Sequence, residues 1–361
     1  MIASPSIIST RSVKGEIVGV FTVVSCARGK DGDAIGVYIR GASIMEKRAG
    51  GRMEWLDAAK GIGIVLVVIG HAWKSIAVRD PIYAFHMPFF FIAAGYVAKP
   101  APLRDFAVKQ WRALGVPYIA FLVCLMAADP LIEGARGWRP MFRDWGSAVQ
   151  AGLMGGTSLH GPLTVFWFVP CLMIARLAQV MLYKLWPDAR DWRWALSMAA
   201  VMALGVWWGR ESNFSPLGVL AAPVALAFLW LGALWRTVKQ DRWLLLVCAA
   251  LSVAAIVFYV PLAPLNMKYG DYGARPYVTL PLALVLSLGL CWLMRWMPWR
   301  PFVALGRMSL VIMFLHVPVI HYLRPYFGVW SLSALAVILP VAVYFLLSRF
   351  KMGRRLFLGT A

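Results

Sequence analysis

Lys60 and His71 stand eleven residues apart in EWLDAAKGIGIVLVVIGHAW, residues 54–73, and every residue between them is Gly, Ile, Val or Leu. Eleven helical steps of about 100° close roughly three turns, so the two side chains share one face, about 16 Å apart along the axis. Asp57 lies one turn before Lys60 on nearly the same face. The spacing places a cation near one surface of an apolar layer and an imidazole deep in that layer or across it. His86 follows in YAFHMPFFF, residues 83–91. The first apolar run ends on the far side and the link is short, so His86 and His71 should lie at similar depth. An imidazole titrates near ambient pH, so two at one level suit general-base catalysis on a hydroxyl. Two plainer readings stand beside this one. A buried His can simply bond a backbone carbonyl or pack under aromatic rings, and Lys60 can snorkel to headgroups rather than meet a phosphate.

The other candidates are weaker. His316 and His321 are five residues apart and do not share a face well, which suits one cavity-lining and one interfacial ring. His160, followed by Gly161 and Pro162, reads as a loop residue. Trp167, in VFWFVPCL, is a packing residue or an indole N–H that orients substrate at a cavity mouth. There is no HExxH and no carboxylate cluster, so no metal site is expected. GLMGG at 152–156 lacks the Lys-Ser/Thr of a phosphate-binding loop. The five cysteines are scattered without zinc or redox spacing and read as small apolar side chains.

These residues sit in a chain that is 61% hydrophobic and only 14% charged, a membrane composition. The net charge of +20 does not point to nucleic acid, because the basic residues fall in short loops between apolar runs. From Trp55 onward about ten spans are expected, near 55–76, 81–98, 110–128, 162–184, 192–209, 216–235, 242–262, 277–297, 302–322 and 332–348. Each is long enough, or nearly so, to cross about 30 Å of hydrocarbon. With the N-terminus inside, nineteen loop Lys and Arg fall on the cytoplasmic side against eight outside, so both termini are expected to be cytoplasmic. Loop 129–161 would then lie outside and could form a helix on the membrane surface.

The expected organisation is therefore an all-α polytopic membrane protein in three parts. Residues 1–52 form a poorly structured extension, 53–350 the membrane domain and 351–361 a cytoplasmic basic tail. The apolar run in GEIVGVFTVVSCARGK, residues 15–30, is broken by Glu16, which argues against a lipoprotein signal. MEWLDAAKG is a plausible true start at Met53, with Met45 as the alternative.

The stretch Asp57-Ala-Ala-Lys60-Gly61-Ile-Gly63 … Gly70-His71, then Phe85-His86-Met87-Pro88-Phe-Phe-Phe … Gly95-Tyr96, resembles the acyltransferase 3 family, especially its fucose 4-O-acetylase-like branch. Phe166-Trp167-Phe168-Val169-Pro170 and Gly306-Arg-Met-Ser309-Leu … Phe314-Leu315-His316-Val-Pro318 resemble later family segments in the right order. The resemblance covers residues 53 to about 350. It implies a ten-span enzyme of a bacterial-type inner (plasma) membrane. Such an enzyme moves an acyl group, usually acetyl, from cytoplasmic acyl-CoA to a hydroxyl of a cell-surface or lipid-linked carbohydrate. It also implies His71 as catalytic base, or as the group that first accepts the acyl itself, with His86 assisting, Lys60 and Asp57 at the acyl-CoA site, and Trp167 and His316 as substrate-cavity residues; the sequence does not separate the two mechanisms. Ala94 stands where many members have Ser, so a hydroxyl there is absent. The competing class is a transporter or flippase of a lipid-linked sugar with the buried histidines as a proton relay, against which no two-fold repeat of spans is visible.

Overall fold

The computed structural model describes residues 53–238, 246, 247, 250, 251, 253, 254 and 265–360. The expected extension 1–52 and most of the expected span 242–262 lie outside the described residues. Regular structure among the described residues is helical, apart from one isolated bridge between Asn266 and Asp271. In chain order, α1 is Glu54–Ala72, α2 Ile76–Tyr83, α3 His86–Tyr96, α4 Leu103–Gln110 and α5 Val116–Ala135. They are followed by α6 (Trp145–Met154), α7 (Phe168–Leu185), α8 (Trp192–Glu211) and α9 (Ala222–Thr237). The last four are α10 (Pro276–Trp296), α11 (Arg300–Leu323), α12 (Val329–Ser348) and α13 (Lys351–Phe357).

Seven helical stretches among the described residues are long and apolar enough to cross a membrane: Glu54–Ala72, Leu103–Ala135, Gly161–Leu185, Pro216–Thr237, Pro276–Trp296, Arg300–Leu323 and Val329–Ser348. All seven fall on expected spans. Two other expected spans differ for local reasons. The stretch 81–98 divides into α2 and α3, and Pro88 stands in the first turn of α3, where a missing N–H costs nothing. The stretch 192–209 is helical as α8 but carries Trp192, Trp194, Trp207 and Trp208, side chains that favour an interface over hydrocarbon. The outward surface is apolar, with Leu131 on α5 76% exposed and Trp330 on α12 75% exposed. Large exposed apolar area of this kind is what a lipid solvent requires.

The core is aromatic and small-residue packing, with Phe89, Phe91, Phe166, Phe228 and Phe314 fully buried. Its most extensive helix pair is α1 against α11. They run in the same direction, Asp57 meeting Gly306 near one end and His71 meeting His316 near the other. A Cβ at Gly306 would overlap the Asp57 carbonyl, so the glycine is what lets the two backbones touch. Beyond the His71 end the helical pattern stops. Four short 3-10 pieces, Gly156–Ser158, Gly161–Trp167, Pro216–Ala221 and Met267–Tyr269, form a connected layer, and Gly161–Trp167 packs on α11. Loop 129–161 does form a helix, α6, capped by Asp144 and Ser147, with Trp145 and Leu153 exposed. Within the expected tail, Lys351–Phe357 is a packed helix, α13, whose Phe357 ring lies 5.0 Å from Phe121 of α5.

Candidate active site

His71 is in the last turn of α1, and the chain leaves that helix at Trp73 in an extended conformation. Arg324, just past α11, donates from Nη2 to the His71 carbonyl at 3.0 Å and to the Ala72 carbonyl at 3.3 Å. It therefore caps carbonyls that a helix end leaves unpaired, with a cation at the negative end of the dipole. The backbone under His71 is thus held from α11, the same helix that supplies the opposing ring.

Two elements bring side chains to the His71 ring, and a third stands behind them. The His316 ring lies 5.2 Å from it, centroid to centroid. Tyr83, the last residue of α2, places its hydroxyl 3.1 Å from His71 Nδ1. His86, the first residue of α3, stacks on Tyr83 at 4.7 Å. Gly70 makes this possible, because a Cβ there would come within 2.9 Å of the Tyr83 ring. His71 and His86 are joined through Tyr83 rather than in direct contact.

The hydrogen bonds fix which ring nitrogens carry protons. His86 Nδ1 is 3.1 Å from the Ile82 carbonyl and His316 Nδ1 is 2.9 Å from the Ile312 carbonyl. A carbonyl oxygen only accepts, so both Nδ1 atoms carry the hydrogen and both Nε2 atoms keep a lone pair. His316 is fully buried, and its Nε2 has no hydrogen-bond partner among the described residues. A buried bare acceptor of this kind costs stability unless something meets it. The plain reading of a carbonyl-bonded histidine therefore holds for one nitrogen of His86 and His316, and leaves the other available.

The opposite end of α1 carries charge. Asp57 is buried at 8% exposure and pairs with Lys60 Nζ at 3.6 Å and with Arg307 Nε of α11 at 3.6 Å. Arg295, from α10, lies over the Trp55 ring at 5.3 Å. Two cations thus share one buried carboxylate near the start of α1, with Arg295 beside them over Trp55, a net positive surface suited to phosphate. Trp167 ends the Gly161–Trp167 segment at 6% exposure, edge-on to Phe168, and no described contact joins it to the histidines. His160 is exposed, and His321 bonds Glu133 at 3.0 Å away from the cluster. Among the described residues no group of three or more His, Cys, Asp and Glu could hold a metal ion.

A family model described as an acyltransferase domain matches residues 53–349. The chain belongs to the acyltransferase 3 family. It is an all-helical, multi-pass membrane member of it, and residues 53–349 are its acyltransferase domain. Nodulation protein NolL of Sinorhizobium fredii is 33% identical over 141 residues, which cover 36% of this chain and 35% of that protein. The chain therefore matches well under two thirds of that relative's length. No solved structure matches. Within the acyltransferase 3 domain, Lys60, His71, His86, Trp167 and His316 all lie inside the matched residues. Sequence reasoning missed Tyr83, Arg307 and Arg324. Tyr83 had a local signal, three residues before His86, whereas the two arginines reach α1 only through the α1–α11 pairing.

Proposed function

We propose that this acyltransferase moves an acetyl group from cytoplasmic acetyl-CoA to a hydroxyl of a cell-surface or lipid-linked carbohydrate. The observation that carries this reading is the single pair of parallel helices with cations at one end and facing imidazoles at the other. The phosphates of acyl-CoA would meet Lys60 and Arg307, with Asp57 holding both cations in place. The thin pantetheine arm would cover the roughly 16 Å of helical rise to His71. His71 then takes the proton of the acceptor hydroxyl as the oxygen attacks the thioester carbon. Only one tautomer allows this at Nε2: Nδ1–H must donate to the Tyr83 oxygen. Tyr83 thereby aligns the base, and His86 and His316 offer bare Nε2 atoms to an acceptor hydroxyl or a relayed proton.

Ten spans with both termini cytoplasmic, in a bacterial-type inner membrane, belong to the same proposal. It is supported by the basic-residue asymmetry and by the shared direction of α1 and α11, the first and ninth expected spans. Changing His71 to Ala should abolish acetyl transfer with the protein level in the membrane unchanged. Glycans from cells carrying H71A should be one acetyl group lighter by mass spectrometry, as in cells lacking the gene. Undiminished acetylation would rule out His71 as the base.

A further inference from the structure

Lys268 is a buried cation that none of the roles above uses. It lies in the Met267–Tyr269 turn at 4% exposure. Its Nζ donates to the Leu159 carbonyl at 2.6 Å and to the Thr164 hydroxyl at 2.9 Å, both neutral. It forms no ion pair with a described carboxylate, and the Tyr269 ring is 5.2 Å away. Burial pushes its pKa down to about 8. A lysine taken out of water without a counter-ion is costly and is kept where a negative charge is to be met.

Its surroundings point to where that charge appears. The segment holding its partners, Gly161–Trp167, packs through Phe166, 4.8 Å from Phe314, on α11, the helix that carries His316. The Lys268 charge bears on the His71 ring, more weakly than the His316 and His86 rings do. The 3-10 segments packed around the turn, 156–158, 161–167 and 216–221, contain no ionisable side chain; Asp271 follows the turn, and Arg210 and Glu211 follow Gly209, which abuts Gly270. An ammonium has three N–H donors, and two are used. Non-helical backbone gathered at one end of a membrane bundle is expected where it lines a cavity.

We propose that Lys268 holds the negative charge that develops on the acyl carbonyl oxygen during transfer. This rests on the acyl-transfer reading above. The acceptor O–H gives its proton to His71, its oxygen bonds the thioester carbon, and the carbonyl electron pair moves onto oxygen beside the third N–H of Lys268. Collapse restores C=O and breaks C–S. The thiolate takes the proton back from His71, leaving an ester and the free thiol with no redox change. A fixed cation at an oxyanion lowers the barrier without holding the ground state more tightly.

The test uses full-length protein in membranes, radiolabelled acetyl-CoA, and the glycan fraction of membranes from cells lacking the gene as acceptor. K268M keeps the apolar stem and should lower the maximal rate about 100-fold, the usual effect of losing one such donor, with KM for acetyl-CoA nearly unchanged. K268R should recover most of that rate. The wild type should lose activity as pH rises through about 8, because the ammonium form is needed, and K268R should lack that limb. Size-exclusion profiles and thermal unfolding in detergent report whether the variants fold. A well-folded K268M at wild-type rate would overturn the inference. So would a rate loss that K268R shares and that follows lost thermal stability, since Lys268 would then only tie Leu159 and Thr164 together. No transfer by wild-type protein would instead overturn the acyl-transfer reading beneath it.

Discussion

Removing the Tyr83 hydroxyl leaves the His71 ring in place but takes away what selects its tautomer. Y83F should therefore lower kcat roughly five- to tenfold, the worth of about one net hydrogen bond, with KM for acetyl-CoA little changed in initial-rate measurements. The other end of α1 should respond in the opposite way. K60Q and R307Q should raise KM for acetyl-CoA more than they lower kcat, and the effect should shrink as salt screens the remaining cations. Equal losses in kcat from both ends would contradict this division. The Lys60–His71 face was legible because α1 is unbroken between them, so the 3.6-residue period alone carries the geometry. Tyr83 against His71, His316 against His71 and Lys268 against Thr164 were not legible. Each joins residues on different elements, and a single sequence holds no record of such pairings.

Among the elements, two glycines should separate stability from activity. A side chain at Gly306 meets the Asp57 backbone, which cannot swing aside, so G306V should separate α1 from α11. The expected cost is about 1–3 kcal/mol of overpacking, read as a lower unfolding temperature and less folded protein in detergent. At Gly70 the obstacle is the Tyr83 ring, which can move. G70A should therefore fold nearly as well as the wild type while losing activity, because the ring leaves His71 Nδ1. Helix positions were largely legible, since apolar length sets them. The division of 81–98 had its signal in Pro88. The 3-10 layer had only scattered Gly and Pro in GPLTVFW, SPLGVL and NMKYG. Those marks show that a helix stops but not that the stops gather in one place.

For the molecule as a whole, sidedness is the sharpest expectation. In a cysteine-free background, Trp138→Cys should react with a membrane-impermeant maleimide on intact cells, whereas Met352→Cys should react only after permeabilisation; both side chains are well exposed. Labelling of both from one side would break the even-span topology. The expected topology draws on hydrocarbon thickness and basic loops, which act through composition, while the acceptor's identity depends on pocket walls that composition does not encode. The packed C-terminal helix carries one more implication. Phe357 abuts Phe121, Phe121 stacks on Phe314 at 5.0 Å, and Phe314 precedes His316 by two residues. A run of rings thus links the last turn of the chain to α11, the helix that carries His316. Trimming the final residues, or displacing them with a fused tag, would dull the enzyme from a distance, and an affinity handle is better placed elsewhere.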